Sequence, residues 1–568
     1  MKRADAVALV GLALAVAGAY GWYEQSTRID SDRHFHRAVS RLASGLGYVK
    51  TLPQVEDMGW GQRFPDKEYL FHVFSTWGLR LAGEVGFRLS ALLWAALALW
   101  ALYALCRLAL SPPYAFAVTI AAGLANAYWA YRLMLVRPLV LAIAAALWLA
   151  VGLLTRRRWL TALSAAVFIL GYHAIYVPLL IILVVAGAHR FDRDARRTAL
   201  AGVIGLAVGI VLNPYFPSTV QMMIGQISVA LTGGGAKGIG VEVQALSTAE
   251  FLRLFAGPLV ATLFCIGRPW LFPSGDPGAR RQILLLIGLA LAFWGLAFWT
   301  PRAGEYAVPF SAVALAHGVA DLSRRMRTAA VGLVLALQVP SHLADHQPTP
   351  SDRYEAAVAP AIEHLPREAA GKKVLNCAFD EGSTLLDLRP DVRFVDAMDA
   401  TALEGLAPQL AKAREDLEEG RAGEPWWIAH DLFRAQFVLC GYPAAIEAMD
   451  ADPRFARIYP PRGSTPRGPH HDLFAVREGA IPAVRRFEVL GEHGPLGQLR
   501  LSPDQVMLDL QRSPMPRGPG GCLRVRPLLE DPLVRPEVAV LGGGPRIVLR
   551  AGERTLYETV PPLTRARW

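Results

Sequence analysis

Apolar segments of membrane-spanning length follow one another through residues 1–345 of the chain. The sequence of 568 residues is 53% hydrophobic and has a mean hydropathy of +0.30, which is too apolar for a single soluble globule. At about residues 342–350 the composition changes to that of ordinary soluble protein, with dense Pro, Asp, Glu and Arg. We therefore predict a polytopic α-helical membrane domain over residues 1–345, followed by soluble domains.

Short basic clusters between the apolar segments indicate how the chain crosses the membrane. Lys and Arg mark cytoplasmic loops, and residues 1–3 (MKR) precede the first apolar run, Ala6–Tyr23, so the N-terminus is expected in the cytoplasm. The alternative for this run is a cleavable signal peptide ending near residues 15–17. Much of the net charge of +10 lies in these clusters, which argues against a nucleic-acid partner.

A membrane-spanning helix needs roughly 20 apolar residues, and this length allows the rest of the domain to be divided into predicted spans. Basic clusters at 155–158 and 189–197 are too close for two ordinary spans, so we expect two short helices that meet near Gly171. The other predicted spans are Phe87–Leu110, Pro112–Leu133, Met134–Leu154, 198–216, Phe251–Phe272, Gln282–Thr300, Ala307–Leu322 and Ala329–Ala344. About eleven crossings of the inner (plasma) membrane result. They place the C-terminal domains on the periplasmic or extracellular side, with an outer loop at Glu24–Gly86 and a second, flexible one at 218–250.

Carboxylates and imidazoles are concentrated in the first outer loop. They are Asp30, Asp32, His34 and His36 at alternate positions, and later Asp66, Glu68 and His72. Such side chains hold divalent metals or accept protons. We predict catalytic roles for Asp30, Asp32, Asp66 and Glu68, and a divalent metal, Mg or Mn, held by Asp32, His34 and His36. The alternative is that the alternating charges only form surface ion pairs, each worth less than ~1 kcal/mol.

This arrangement resembles the C-type glycosyltransferases, polytopic enzymes that take sugars from polyprenyl-phosphate carriers. The resemblance covers roughly residues 1–345, and it is carried by Asp30-Ser31-Asp32, Phe64-Pro65-Asp66-Lys67-Glu68 and Arg302-Ala303-Gly304-Glu305-Tyr306. Within the superfamily the chain is similar to mannosyl- and arabinosyltransferases and to the catalytic subunit of oligosaccharyltransferase. The resemblance implies inverting transfer of a sugar from a polyprenyl-phosphate donor to a glycan, lipid or protein acceptor on the outer face of the membrane.

One departure from oligosaccharyltransferase lies in the C-terminal part. Those subunits carry a WWDYG signature that holds the acceptor peptide, whereas the nearest match here, Trp426–Asp431, keeps only the two tryptophans. We interpret this match as a coincidental strand pattern. The departure argues against transfer of an oligosaccharide to asparagine.

Transfer from a lipid phosphate also needs positive charge beside the departing phosphate. Arg137, Arg302 and Lys67 suit this role because cationic side chains pair with phosphate. The full set of predicted substrate-binding residues is Lys67, Arg137, His173, Arg302, Glu305 and Tyr306. Alternatives remain open: Arg137 as a snorkelling anchor, an Arg302–Glu305 ion pair, and a structural role for His173.

The soluble part is typical of an α/β domain over 346–482 and a small β-rich unit over 483–568. Expected strands are 372–379, 392–397, 426–431, 455–459 and 472–477, with helices at 383–388, 401–419 and 444–450. Their alternation favours a mostly parallel sheet, and no phosphate-binding glycine fingerprint follows the first strand. Cys377 and Cys440 either form a disulfide or remain buried thiols.

Two other functions fit a chain with many spans. One is a transporter or flippase of a lipid-linked substrate, and the other is a non-catalytic scaffold with an outer interaction domain. Transporters often consist of two related halves, and the sequence shows no halves that match. A scaffold would need no acidic cluster in its first outer loop, so we favour the glycosyltransferase.

Overall fold

The computed structural model divides the chain into two compact units. The described residues are 3–25, 31–43, 48–188, 192–232, 246–271, 277–344, 354–398, 403, 407–422, 425–461 and 470–477, together with the strands between 485 and 559. The helical unit comprises residues 1–52 and 62–355. The sheet unit comprises residues 53–61 and 356–568.

Helices dominate the described part of the helical unit. The first are α1 (Arg3–Gln25), α2 (Ser31–Leu42), α3 (Tyr69–Arg107), α4 (Pro112–Val118), α5 (Ala127–Met134), α6 (Pro138–Leu154) and α7 (Arg158–Gly171). The chain continues through α8 (Tyr176–Ala188), α9 (Arg193–Leu212), α10 (Ser218–Thr232), α11 (Thr248–Leu271), α12 (Pro277–Ala297), α13 (Gly304–Gly318) and α14 (Arg324–Ala344). The two short helices expected between the basic clusters are α7 and α8.

Among the described residues, four helices are long and apolar enough to cross a membrane by themselves. They are α1, α3, α9 and α11, and a fifth span results if α5 and α6, which meet at 114°, count as one. The prediction of a helical membrane domain is thus confirmed, while the number of about eleven crossings stays a prediction.

α6 is the centre of the packing in the helical unit. Its sequence, PLVLAIAAALWLAVGLL, is apolar on every side, and nearly all of its side chains are buried. A helix that is apolar all round lies inside a bundle, and α6 packs against α3 and α7. α1 is attached to the end of α3 by Asp5, which accepts hydrogen bonds from Tyr103 at 2.7 Å and from Arg107 at 2.8 Å.

Two stretches of this unit differ from the sequence-based expectation. Residues 112–133 are not one helix, because α4 passes into a π-helix, Thr119–Leu124, and α5 restarts after Asn126. The side chain of Asn126 accepts a hydrogen bond from the backbone N–H of Trp129 at 2.9 Å, a cap that favours a new helix start. Residues 218–232, expected in a flexible loop, form α10, since the run of three consecutive glycines begins only at 233.

α3 folds back on itself near Ala82 and Gly83. Both residues leave the helical conformation, and Gly83 has a φ of +56°, which glycine adopts at little cost. The turns on either side touch, because a Cβ atom on Gly86 would lie 2.0 Å from the carbonyl oxygen of Gly78. The two segments of α3 therefore pack backbone to backbone at Gly78 and Gly86.

We expect Gly86→Ala to destabilise the protein by roughly 1–3 kcal/mol, because the added methyl group overlaps the Gly78 carbonyl. The matched control is Gly288→Ala in α12, where a Cβ atom would meet nothing within 4 Å. Differential scanning fluorimetry of the detergent-solubilised protein compares the two melting temperatures. Equal melting temperatures for the two variants would contradict the close contact within α3.

A mixed five-stranded sheet, in the order β2-β1-β3-β5-β4, forms the core of the sheet unit. Its strands are β1 (Lys373–Asn376), β2 (Arg393–Phe394), β3 (Phe437–Cys440), β4 (Phe455–Tyr459) and β5 (Asp472–Val476). β1 is parallel to β2 and β3, whereas β5 is antiparallel to β3 and β4, so the predicted mostly parallel sheet has an antiparallel edge. The helices of this part are α15 (Tyr354–Glu363), α16 (Phe379–Leu388), α17 (Pro408–Glu418), α18 (Pro425–Trp427) and α19 (Pro443–Ala451).

The interpretation of Trp426–Asp431 as a strand is wrong. α18 continues into a π-helix, Ile428–Leu432, and both tryptophans are buried in the apolar core that also contains Val438 of β3. The apolar residues of this stretch therefore cover the sheet instead of joining it. Cys377 and Cys440 form a disulfide at the ends of β1 and β3, which settles the alternative that the sequence left open.

A seven-stranded antiparallel sheet forms the C-terminal part, in the order β12-β11-β10-β9-β6-β7-β8. Its strands are β6 (Arg485–Gly491), β7 (Gly494–Leu501), β8 (Val506–Leu510), β9 (Cys522–Pro527), β10 (Arg535–Leu541), β11 (Gly544–Ala551) and β12 (Arg554–Thr559). This sheet agrees with the β-rich character expected from the sequence.

A piece of the segment predicted to be the first outer loop, residues 53–61, belongs to the sheet unit. Residues 53–58 form a 3-10 helix, and the side chain of Gln54 donates a hydrogen bond to the carbonyl of Pro390 at 3.0 Å. Asp57 pairs with Lys373 of β1. No sequence pattern indicated this attachment, which rests on two polar contacts between residues far apart in the chain.

Candidate functional site

α2 brings an acidic residue of the first outer loop to the start of α6. Asp32 lies in the first turn of α2, and its Oδ2 atom is 3.1 Å from Nη1 of Arg137. Arg137 immediately precedes α6, and the side chains of both residues are largely buried. Two of the sequence-predicted residues are thus brought together, whereas Asp30 lies outside the described residues.

A second group of carboxylates and imidazoles forms a continuous chain of contacts. Oδ2 of Asp66 accepts a hydrogen bond from Nδ1 of His72 at 2.7 Å, and Nε2 of His72 lies 2.9 Å from Nδ1 of His36. Oδ1 of Asp66 accepts a hydrogen bond from the backbone N–H of Glu68 at 2.8 Å. We call His36, Asp66, Glu68 and His72 the histidine cluster, and none of its members is more than 4% exposed.

Three members of the histidine cluster have the geometry of a metal site. One ligand atom each from His36, Glu68 and His72 lies within 4.8 Å of the others. Two ligand atoms about 2.1 Å from a common ion are themselves roughly 3–4 Å apart. The separations of 2.9 Å between the two histidines and 3.9 Å between His36 and Glu68 fit this requirement.

The protonation of His36 also suits a ligand role. Burial lowers the pKa of His36 well below its usual value, and His72, Arg137 and Lys67 lower it further. His36 is therefore a neutral imidazole near pH 7, the form that binds metals. Nδ1 of His72 faces Asp66, so the Nε2 atom of the same ring faces His36 instead.

Lys67 and Arg137 lie within electrostatic range of the histidine cluster, since the positive charge of each lowers the pKa of His36. His34 has a different neighbour, because its Nδ1 atom lies 3.0 Å from Nη2 of Arg37. Of the ligands predicted from the sequence, His36 is the one that the described residues place in the metal-like group, while Asp32 pairs with Arg137.

A buried ion pair fixes the start of α13. Oε1 of Glu305 accepts a hydrogen bond from Nε of Arg132 at 2.6 Å, and both side chains are at most 3% exposed. The backbone carbonyl of Glu305 accepts a second hydrogen bond from the indole of Trp129 at 3.0 Å. Glu305 thus has a strong partner in Arg132 of α5, a residue that the sequence analysis did not single out.

Tyr172 connects this region with the histidine cluster. Its phenol lies within electrostatic range of Arg302, Glu305 and Glu68. The ring of His173 follows directly, with its centroid 4.7 Å from that of Tyr172. Tyr172 therefore lies within electrostatic range both of Glu68 and of the 302–306 turn.

Tyr306 adds a hydroxyl to this region. Its side chain is buried within electrostatic range of Tyr172 and Glu305. The ring of Tyr306 packs against Phe293 at a centroid distance of 5.3 Å, and its hydroxyl has no hydrogen-bond partner among the residues described. A buried hydroxyl without a partner is costly, so this atom is available to a ligand.

Two residues of the site carried signals that sequence reasoning did not use. His72 follows Glu68 by four residues, the spacing that brings two side chains to the same face of a helix. Arg132 is a charged residue within a long apolar run, and charges at membrane depth usually have a functional role. The sequence alone did not show their importance, because the partners of these residues, His36 for His72 and Glu305 for Arg132, are distant in the sequence.

The fold and site define a polytopic membrane protein with a buried acid and histidine site. No protein-family model and no curated protein sequence matches the chain. A solved structure that matches is the apo oligosaccharyltransferase of Archaeoglobus fulgidus, with a TM-score of 0.54 and 12% identity, over 77% of this chain and 69% of that chain. The chain therefore shares the fold of this solved oligosaccharyltransferase, as the resemblance in the sequence predicts.

Two other solved structures are similar at lower scores. AglB from Archaeoglobus fulgidus, in complex with an inhibitory peptide and a dolichol-phosphate, has a TM-score of 0.49 and 12% identity over 84% of this chain and 75% of that chain. ArnT from Cupriavidus metallidurans, in the apo state, has a TM-score of 0.41 and 13% identity over 83% of this chain and 98% of that chain. The fold assignment rests on the match with the higher score.

We expect Asp66→Asn to weaken the binding of Mn²⁺ by about 10- to 100-fold, because an amide orients the His72 ring less firmly than a carboxylate. Titration of the purified full chain with Mn²⁺, followed by EPR of the free ion, gives the dissociation constants. The matched control is Asp194→Asn, whose exposed carboxylate pairs with Arg158 at 3.1 Å at the start of α9. Equal affinities of Asp66→Asn and the unchanged chain would contradict this arrangement.

Proposed function

We propose that this protein is a membrane glycosyltransferase that moves a sugar from a polyprenyl-phosphate-linked donor to an acceptor on the outer face of the membrane. The observation that carries the proposal is the gathering of the histidine cluster, Arg137 and Arg302 into one electrostatically connected region. The fold shared with an oligosaccharyltransferase supports it. A transporter or a scaffold has no need of this combination of buried acids, imidazoles and cations.

Asp32 is the proposed base for the acceptor. The Arg137 guanidinium, 3.1 Å away, fixes the orientation of its carboxylate. In an inverting transfer, the acceptor heteroatom bonds to the anomeric carbon while the bond between that carbon and the phosphate oxygen breaks. The acceptor proton passes to the carboxylate, and the bonding electrons leave with the phosphate. Asp30, two residues earlier in the sequence, remains a proposed partner in this role.

Arg302, Lys67 and Arg137 are the proposed partners of the departing phosphate. Cationic groups in a poorly hydrated site stabilise developing negative charge more strongly than they would in water. The Tyr306 hydroxyl and His173 are proposed further contacts to the substrate. Glu305 contributes indirectly, since its pair with Arg132 holds the turn that carries Arg302.

The metal proposed for this site would be held by His36, Glu68 and His72, and Asp66 would position His72. A bound divalent ion would supply positive charge to the leaving phosphate. Two imidazoles and one carboxylate suit Mn or Zn better than Mg, which prefers oxygen ligands. Of the ligands predicted from the sequence, His36 stays in this set, while Asp32 is assigned to the acceptor and His34 to Arg37.

The membrane arrangement completes the proposal. The N-terminus is cytoplasmic, the chain makes about eleven crossings of the plasma membrane, and the C-terminal parts, 346–482 and 483–568, are periplasmic or extracellular. The donor is a polyprenyl-phosphate lipid, and the acceptor is a glycan, lipid or protein. The first loop then lies at the headgroup level, where the phosphate of the donor is found.

We expect Asp32→Asn to lower sugar transfer by at least about 100-fold, because an amide cannot accept the acceptor proton. Membrane insertion and binding of the donor lipid are expected to stay normal. Transfer is measured as radiolabelled product formed from polyprenyl-phosphate-linked sugars in membranes that contain the variant, with Asp194→Asn as the control. Full transfer by Asp32→Asn would overturn the assignment, and translocation of the donor without transfer would favour a flippase.

A further inference from the structure

A second group of buried polar side chains lies in the sheet unit, at the carboxyl ends of β1 and β3. These strands are parallel neighbours in the sheet. After β1 the chain passes through α16 to β2, which pairs with one edge of β1, whereas β3 pairs with the other edge, so the strand order reverses between β1 and β3. Ligands of open α/β sheets bind beyond the strand ends at such a switch point. The disulfide between Cys377 and Cys440 joins the two strand ends at this place.

Arg414 of α17 is the cation of this group. Its Nε atom lies 3.2 Å from Oε1 of Glu418, and the same guanidinium pairs with the fully buried carboxylate of Asp396. Charged side chains this deep in a soluble domain are rare unless they are paired or functional. Arg414 is shared between two carboxylates, so it does not neutralise both.

Glu381 of α16 is completely buried, and the two oxygens of its carboxylate have different neighbours. Oε2 accepts a hydrogen bond from the backbone N–H of Ala378 at 2.9 Å. Oε1 lies 3.1 Å from Nε2 of His471 but accepts no hydrogen bond from the described residues. A buried carboxylate oxygen in this state is costly, and a ligand that donates a hydrogen bond would relieve the cost.

Gly441 allows His471 to lie at the strand end. A Cβ atom on Gly441 would lie 2.5 Å from Nε2 of the imidazole, so a larger residue would displace the ring from Glu381. We call Glu381, Arg414, Glu418, Tyr442 and His471 the switch-point cluster. Its accessible members are Tyr442, Glu418 and His471, with exposed fractions of 38%, 17% and 12%.

Negative charge exceeds positive charge in this cluster. Burial raises the pKa of the Tyr442 phenol, and the negative charges of Glu418, Glu381 and Asp380 raise it further, while Arg414 lowers it. Burial raises the pKa of Glu418 to about 7, although Arg414 lowers it, and the neighbouring glutamates raise it as well. A cation that entered the cluster would reduce this repulsion and favour the ionised carboxylates.

We propose that the switch-point cluster binds the primary ammonium group of a small ligand. The carboxylates of Glu381 and Glu418 accept hydrogen bonds from the ammonium group, and Tyr442 lies at the entrance. Two carboxylates match the multiple donors of an ammonium group. This site lies in the sheet unit and does not depend on the proposed transfer reaction.

Isothermal titration of the detergent-solubilised full chain with glucosamine and with N-acetylglucosamine tests this proposal. The two probes share the sugar ring, but acetylation removes the ammonium charge. We expect saturable binding of glucosamine at one site and an affinity at least about tenfold weaker for N-acetylglucosamine. Because Glu418 becomes fully ionised on binding, glucosamine should also release protons near pH 7.

Glu418→Gln and Tyr442→Phe are the test variants, since both positions are partly exposed and tolerate the change without loss of the fold. Glu418→Gln should weaken glucosamine binding by at least about tenfold, and Tyr442→Phe should weaken it less. The matched control is Glu419→Gln, the next residue, whose partner is Arg421. Equal binding of the two probes, no saturable binding of glucosamine, or equal affinities of Glu418→Gln and Glu419→Gln would overturn the proposal.

Discussion

The contact between the imidazoles of His36 and His72 holds the candidate site together. The two rings come from different helices, α2 and α3, and their nitrogens approach to 2.9 Å inside a fully buried region. Asp66 fixes one ring, and Glu68 lies next to the other. This contact joins α2 to the start of α3 and places the buried carboxylates of Asp66 and Glu68 beside imidazole partners.

Other buried charges in the helical unit are also paired with a group of opposite charge. The pair Arg132–Glu305 is almost inaccessible to solvent, and the pair Asp32–Arg137 is largely buried. Desolvation of such pairs generally costs as much as the attraction returns, so stability alone does not explain them. The proposed transfer reaction gives these pairs a role, because charged groups at membrane depth commonly line a site for a charged substrate.

Sequence patterns predicted the parts of the molecule that depend on local properties. The spans α1, α9 and α11 follow from apolar runs, and the acids Asp66 and Glu68 follow from the composition of one loop. The helix restart after Asn126 was not predicted, because it depends on a single cap within an apolar run. The role of His72 was missed because its partner His36 lies on another helix, and a sequence pattern does not show which helices meet. The strand predicted at Trp426 is wrong because a helix that packs on a sheet and a strand inside the sheet have similarly apolar sequences.

The most direct measurement of the central claim is pulsed EPR of the Mn²⁺-loaded full chain, which detects nitrogen nuclei bonded to the ion. If His36 and His72 both bind the metal, the spectrum contains couplings from two imidazole nitrogens, and one of them disappears in His72→Ala. A spectrum with only water and carboxylate ligands, or one that His72→Ala leaves unchanged, would contradict the account.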